Sequence, residues 1–251
     1  MLFPVGDDNS DRTMRPTVNY LLIAANVIVF VFLQGLGSNQ QFTMAYSTVP
    51  EEIITGTDVV TETQMVRDRS TGEVFSVPGL QPTPLSVYLT MLTSMFMHGG
   101  FAHLFGNMMF LWIFGDNVEN ALGHGRYLLF YIVCGVLASL AHVFSSVLFG
   151  SNLLVPSLGA SGAISGVLGG YLLLFPKRRV RVVMFYVLQE VPALVAIGLW
   201  FVFQLISGLG MLGGEQGGGV AYGAHIGGFL AGLLLVKLVA LRTPSMTRQI
   251  Q

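Results

Sequence analysis

Charge is what this chain has least of. Asp, Glu, Lys and Arg make up 10% of its 251 residues, against roughly 25% in an ordinary soluble domain. With 53% hydrophobic residues and a mean hydropathy of +0.68, it has too few charges to cover a water-soluble globule of this size. A net charge of −1 removes bulk attraction to nucleic acid. The single cysteine, Cys134, excludes an intrachain disulfide framework and a multi-cysteine zinc site. No repeat period or low-complexity tract is present. What remains is an integral membrane protein, in which five histidines call for an explanation.

A hydrocarbon core of roughly 30 Å needs about 20 apolar residues per helix. Val18–Leu33, Val87–Phe114, Tyr127–Phe149, Ser157–Phe175, Pro192–Leu212 and Val220–Leu241 come near that length. They predict an all-α membrane protein, a bundle of six transmembrane helices. Lys177, Arg178, Arg179 and Arg181 between spans four and five mark that loop as cytoplasmic. Both termini then fall inside, with Arg12, Arg15, Arg242 and Arg248, and only Arg67 and Arg69 of the 12 basic residues lie outside. The expected organisation is a cytoplasmic leader over 1–16, a six-span body over 17–241 and a cytoplasmic tail over 242–251. The leader carries Asp7, Asp8 and Asp11 and is too polar for a signal peptide. The outer loop, about 35–84, is acidic, with a short strand expected around Glu73–Val77. Val180–Val191 reads equally as a segment along the inner interface or an extension of span five.

Polar side chains inside spans are costly and therefore candidates for function. They are His98, His103 and Asn107 in span two, His142 in span three, Ser161 and Ser165 in span four, and His225 in span six. Spans two, four and six run in the same direction. At 1.5 Å per residue, His103, Ser161 and His225 lie about 20, 24 and 18 Å from the inner ends of their spans. Three helices thus deliver Ser, His and His to one layer near the outer face. A Gly-x-Ser-Gly alone is explained by packing, and a lone buried His by a hydrogen-bonding strut; convergence at one depth is not.

His103 and Asn107 are spaced i, i+4 and share a helix face. Ser161, in Gly159-Ala160-Ser161-Gly162, falls in the first turn of a short helix. Backbone N–H groups there lack intrahelical acceptors, and a developing oxyanion would find donors already aimed at it. Gly162, Gly166 and Gly170 form a stripe on span four, and Gly219, Gly223 and Gly227 form another on span six, with Gly228 and Gly232 beside it. Close approach along such stripes would bring Ser161 Oγ within reach of the His225 ring, as a serine–base pair requires. His142 and His124 read as structural or solvated, Asp116 and Glu119 as anchors or packing partners, Cys134 as filler, and Trp112 and Trp200 as packing or belt residues.

At these residues the chain resembles the rhomboid family of intramembrane serine proteases. The likeness covers about residues 15–240, through His98-x-x-x-x-His103-x-x-x-Asn107, Gly159-Ala160-Ser161-Gly162 and Ala224-His225-Ile226-Gly227-Gly228. It implies a six-span rhomboid-like bundle in which Ser161 is the nucleophile and His225 the general base. His103, Asn107 and the Ser161 backbone N–H would form the oxyanion hole, with His98, Gly159, Gly162 and Ser165 in support. It implies no cofactor and no metal. The substrates would be transmembrane proteins, single-span ones above all, entering from the bilayer beside span five and cut after a small residue. Ser165 stands where some rhomboids carry a tyrosine stacked on the histidine, and the outer loop lacks the Trp-Arg pair of many members. The competing reading is a catalytically silent rhomboid-like chaperone or client-binding protein. Such relatives typically lack the serine or the histidine; this chain has both. Metalloprotease chemistry would want His-Glu-x-x-His, which is absent. A transporter would want intramembrane carboxylates and paired broken helices. Composition, with no organelle address, points to a prokaryotic plasma membrane.

Overall fold

The computed structural model describes residues 3–67, 72, 74–184, 186–212 and 221–240. Asp68, Arg69, Glu73, Gly219, Arg242, Arg248, the two end residues of span six and the whole 242–251 tail lie outside these. Helix α1 (Thr17–Ile28) runs on into a π-helical turn, Val29–Leu33. The outer loop holds two short helices, α2 (Gln40–Tyr46) and α3 (Pro50–Thr55). It also holds a hairpin of β2 (Gln64–Arg67) and β3 (Val74–Val77), the latter where a strand is expected.

The second apolar stretch is not one helix. Val87–Phe96 forms a short helical run around α4 (Thr90–Thr93), the chain breaks over Met97–Gly100, and α5 (Phe101–Leu122) follows. Gly99 and Gly100 are poor helix formers, and the break is stabilised from outside. Buried Gln34 accepts from His98 N–H at 2.8 Å and donates to His98 O at 3.0 Å, supplying the backbone partners that a helix would have provided. The remaining helices are α6 (His124–Leu148), α7 (Ser161–Leu174), α8 (Ala193–Leu212) and α9 (Tyr222–Ala240). Helical segments thus lie in all six apolar stretches. Among the described residues, α6 and α9 are by themselves long and apolar enough to cross a membrane.

The all-α expectation needs correction at the basic end. Residues Arg179–Met184 and Val187–Pro192 form strands β4 and β5 of a hairpin, and β1 (Phe3–Asp7) adds antiparallel to β4. Val180–Val191 is therefore not an extension of span five but nearly the whole of a strand hairpin. Its alternation of exposed Arg179 and Arg181 with buried Val180 and Val182 suits a sheet with one covered face. The polar run at the foot of α5 ties the N-terminal segment down. Asp116 pairs with Arg12 at 2.7 Å, and Asn120 Oδ1 accepts from Thr13 and Met14 N–H. Glu119 accepts from the backbone N–H of Val18 and Asn19 at 2.9 and 2.7 Å, capping α1, and also meets His124. Asp116 and Glu119 are thus tethers between elements, and His124 is not simply solvated.

Glycine decides how α7 meets its neighbours, though not through the expected pairing. A Cβ on Gly228 would lie 2.1 Å from Gly162 O, and one on Gly232 2.0 Å from Gly166 O. The α7–α9 seam is therefore Gly162 and Gly166 against Gly228 and Gly232. Gly223 and Gly227 face Ser145 and Ala141 of α6 instead, and Gly170 packs on Phe130 and Val236. Cys134 is buried against Gly166, which agrees with its reading as filler.

Candidate active site

Ser161 is the first residue of α7 and His225 the fourth of α9. The glycine seam brings the two helices so close that His225 Nε2 lies 2.8 Å from Ser161 Oγ. On the other edge of the ring, Nδ1 lies 2.7 Å from Oε1 of Gln204 on α8. Gln204 was not among the sequence candidates. Its signal was there to read: an amide in the otherwise apolar run Val202-Phe203-Gln204-Leu205-Ile206. Trp200, expected as a packing or belt residue, is tilted toward the His225 ring with centroids 6.2 Å apart, and Tyr222 meets the same ring edge-on at 6.4 Å. Aromatic cover of the histidine thus comes from α8 and α9. Ser165 does not reach it: its hydroxyl donates back to Ser161 O at 2.6 Å.

His103, in the first turn of α5, lies beside Gly159, as the serine does. Gly99 N–H donates to His103 Nδ1 at 3.3 Å, so the ring proton belongs on Nε2, which is left as a donor. Gly159 has φ +132°, and a Cβ there would fall 2.9 Å from His103 Nε2 and 3.5 Å from Ser161 Oγ. The positive φ and the crowded Cβ position both call for glycine here. One turn along α5, the buried Asn107 side chain has its Nδ2 without a hydrogen-bond partner among the described residues. Two side chains with a donor to offer, His103 and Asn107, therefore line the same cavity as the serine, where the N–H groups of the first turn of α7 also lack intrahelical acceptors. His98 is buried outside the cavity and packs edge-on against His103, centroids 5.1 Å apart. Gly162 lies against Ala138 and Ala224, its role being close packing.

Ser161, His225, His103, Asn107 and Ser165 all line one open cavity of about 1090 Å³, with Phe110, Ser146 and Trp200 along its walls. His142, read as structural, lines it too. Trp112, by contrast, is an exposed residue stacked on Tyr20. Among the described residues no group of three His, Cys, Asp or Glu is placed to hold a metal ion. Among the described residues the cavity lining contains no Asp, Glu, Lys or Arg, so the chemistry these residues offer is that of a hydroxyl, imidazoles and amides. A hydroxyl against an imidazole Nε2, facing a cluster of N–H donors, can attack a carbonyl and hold the resulting oxyanion.

The family model described as Rhomboid domain matches residues 86–242. Rhomboid protease GluP of Bacillus subtilis (strain 168) is 30% identical over 209 residues, 81% of this chain and 34% of that protein. Rhomboid protein 1, mitochondrial, of Saccharomyces cerevisiae is 32% identical over 156 residues, 62% of this chain and 43% of that protein. The human Presenilin-associated rhomboid-like protein, mitochondrial, is 31% identical over 120 residues, 44% of this chain and 31% of that protein. The matched region spans less than half the length of each of these relatives. With the family model covering more than half the chain, the protein belongs to the rhomboid family of integral membrane proteins.

Proposed function

We propose that the protein is an intramembrane serine endopeptidase that hydrolyses peptide bonds in or near transmembrane segments. The observation that carries the reading is the 2.8 Å contact between Ser161 Oγ and His225 Nε2 inside an open cavity. In the first step Ser161 Oγ attacks the scissile carbonyl while its proton passes to His225 Nε2. The tetrahedral oxyanion is met by His103 Nε2–H, Asn107 Nδ2–H and the Ser161 backbone N–H, donors that need no reorganisation. His225 then gives its proton to the leaving amine, and water hydrolyses the acyl-enzyme by the same route reversed. A helical substrate must unwind locally, since its peptide groups are shielded and hydrogen-bonded.

The reading includes a body over 17–241 crossing the bilayer six times, both termini cytoplasmic, and the site near the outer face of a prokaryotic plasma membrane. The polar residues of the cavity support an opening toward water. Because both Ser161 and His225 are present and in contact, the catalytic reading is favoured over a silent client-binding one. Reconstituted with single-span substrates, wild-type protein is expected to cleave, while Ser161→Ala and His225→Ala lose cleavage. Equal cleavage by wild type and Ser161→Ala would refute the assignment. A serine-directed fluorophosphonate is expected to label wild type at Ser161 and to leave His225→Ala nearly unlabelled.

A further inference from the structure

The hydrogen-bonded chain does not end at His225. Gln204 is 6% exposed, while its neighbours Phe203, Leu205 and Ile206 are 51%, 37% and 63% exposed. The helix therefore turns its amide inward and its apolar side chains outward. Burying an amide is unfavourable unless it is hydrogen-bonded, and the bond it makes is to His225 Nδ1 at 2.7 Å. We propose that Gln204 is a positioning residue, a neutral third member that holds His225 as the tautomer whose Nε2 accepts the Ser161 proton. The inference rests on the serine-protease reading above.

The argument is one of donors and acceptors. A carbonyl oxygen such as Gln204 Oε1 can only accept, so the proton must sit on His225 Nδ1. Nε2 is then a bare lone pair pointing at Ser161 Oγ, the state a general base needs. In the opposite tautomer, Nε2 would donate to the hydroxyl and the serine would keep its proton. As the imidazolium forms, the Nδ1–H···O bond becomes charge-assisted and strengthens. An amide, unlike a carboxylate, adds orientation without a negative charge.

This distinction gives the inference its signature in pH. The groups around His225 are Ser161 on α7, Gln204 and Trp200 on α8, Tyr222 on α9, and the rings of His103 on α5 and His142 on α6. Among the described residues no Asp, Glu, Lys or Arg lines the cavity, so a carboxylate introduced at 204 would set a new fixed charge against the base.

The test compares wild type, Gln204→Leu and Gln204→Glu in vesicles, measuring kcat and KM on a single-span substrate from about pH 5 to 9 together with fluorophosphonate labelling of Ser161. Gln204→Leu is expected to lose about 10- to 100-fold in kcat, out of the roughly 10²–10⁴ a general base supplies, with KM changed less than about twofold. Gln204→Glu restores an acceptor of the same size and is expected to recover activity, with the acidic limb of its profile moved up by about one pH unit. A side chain at 204 that does not contact the ring would leave that limb in place, and a purely structural amide would leave kcat of Gln204→Leu near wild type. Gln204→Leu with wild-type kcat, or Gln204→Glu with the wild-type profile, overturns the inference. If Gln204→Leu fails to fold, the profile of Gln204→Glu decides alone. Wild type that does not label at Ser161 overturns the protease reading itself, whereas wild type that labels beside an equally reactive Gln204→Leu overturns only the role of Gln204.

Discussion

Replacing Gly228 with alanine adds one methyl group in the α7–α9 seam. Its Cβ would lie 2.1 Å from the carbonyl oxygen of Gly162, and a backbone atom inside a helix cannot rotate out of the way. Ordinary contact needs about 3.5 Å, so α9 must withdraw from α7 by about 1.4 Å at that level. His225 lies three residues earlier on α9 and Ser161 directly precedes Gly162, so the displacement passes almost undiminished to the dyad. The Oγ···Nε2 separation of 2.8 Å would open to about 4 Å, outside hydrogen-bond reach. A misplacement of about 1 Å is enough to cost on the order of 10²-fold in rate, while overpacking costs roughly 1–3 kcal/mol of stability. The expected outcome is a folded protein with a lowered unfolding midpoint and at least a hundredfold slower fluorophosphonate labelling and substrate cleavage. Gly198→Ala is the control, since a Cβ there meets nothing within 4 Å, and it should behave as wild type. Gly228→Ala labelling within about twofold of wild type would show that seam geometry does not set the dyad distance, and the reasoning would fail.

Asp7, on β1 outside the spans, tests the basic end. Burial pushes its carboxyl up to about 7 from an ordinary 3.8, against the lowering effect of Tyr171 and Asn117, which donate to it at 2.6 and 2.7 Å. The folded state thus favours the neutral acid: this stabilisation is full below about pH 4 and is lost as pH rises through about 7. Thermal unfolding of wild type should show a falling midpoint between about pH 4 and 7, and Asp7→Asn should flatten that fall, a difference of at most about 4 kcal/mol; parallel slopes would exclude Asp7 as the source. On the oxyanion side, Asn107→Ala should lower kcat by about 10²–10³-fold with KM nearly unchanged, and a change confined to KM would assign Asn107 to substrate binding instead.

The parts of the fold visible in the sequence were those written in composition and period. Apolar length located the stretches that carry α1, α5, α6, α7, α8 and α9, and polar residues inside them singled out Ser161, His225, His103 and Asn107 as candidates. Hydropathy alone did not register the break at Met97–Gly100, because the partner that stabilises it, Gln34, lies 64 residues away. A stripe of glycines every four residues predicts close approach but not to which neighbour. With Gly223, Gly227, Gly228 and Gly232 on two adjoining faces of α9, the choice between α6 and α7 depends on tertiary packing. The alternation of Arg179-Val180-Arg181-Val182 was a strand signal, but its pairing with residues 3–7 lies more than 170 positions upstream. Gln204 stood out in its run of apolar neighbours, yet only the folded helix shows that it faces His225.

The sheet at the basic end also has a mechanical consequence. β5 ends at Pro192 and α8 begins at Ala193, with Ala193 N–H bonded to Arg178 O at 2.8 Å and Leu194 N–H to Pro176 O at 3.0 Å. Helix α8 is therefore a rod clamped at its foot, and the N-terminal strand is part of the clamp. Gln204 lies 11 residues up that rod, a lever arm of about 16 Å. A tilt of only about 5° at the foot carries its amide about 1.4 Å sideways over that arm, enough to part it from His225. Whatever leans on α8 from the bilayer acts with that leverage on the His225 ring, and the residues that resist it are at the opposite end of the helix, in a small sheet that touches neither the serine nor the histidine.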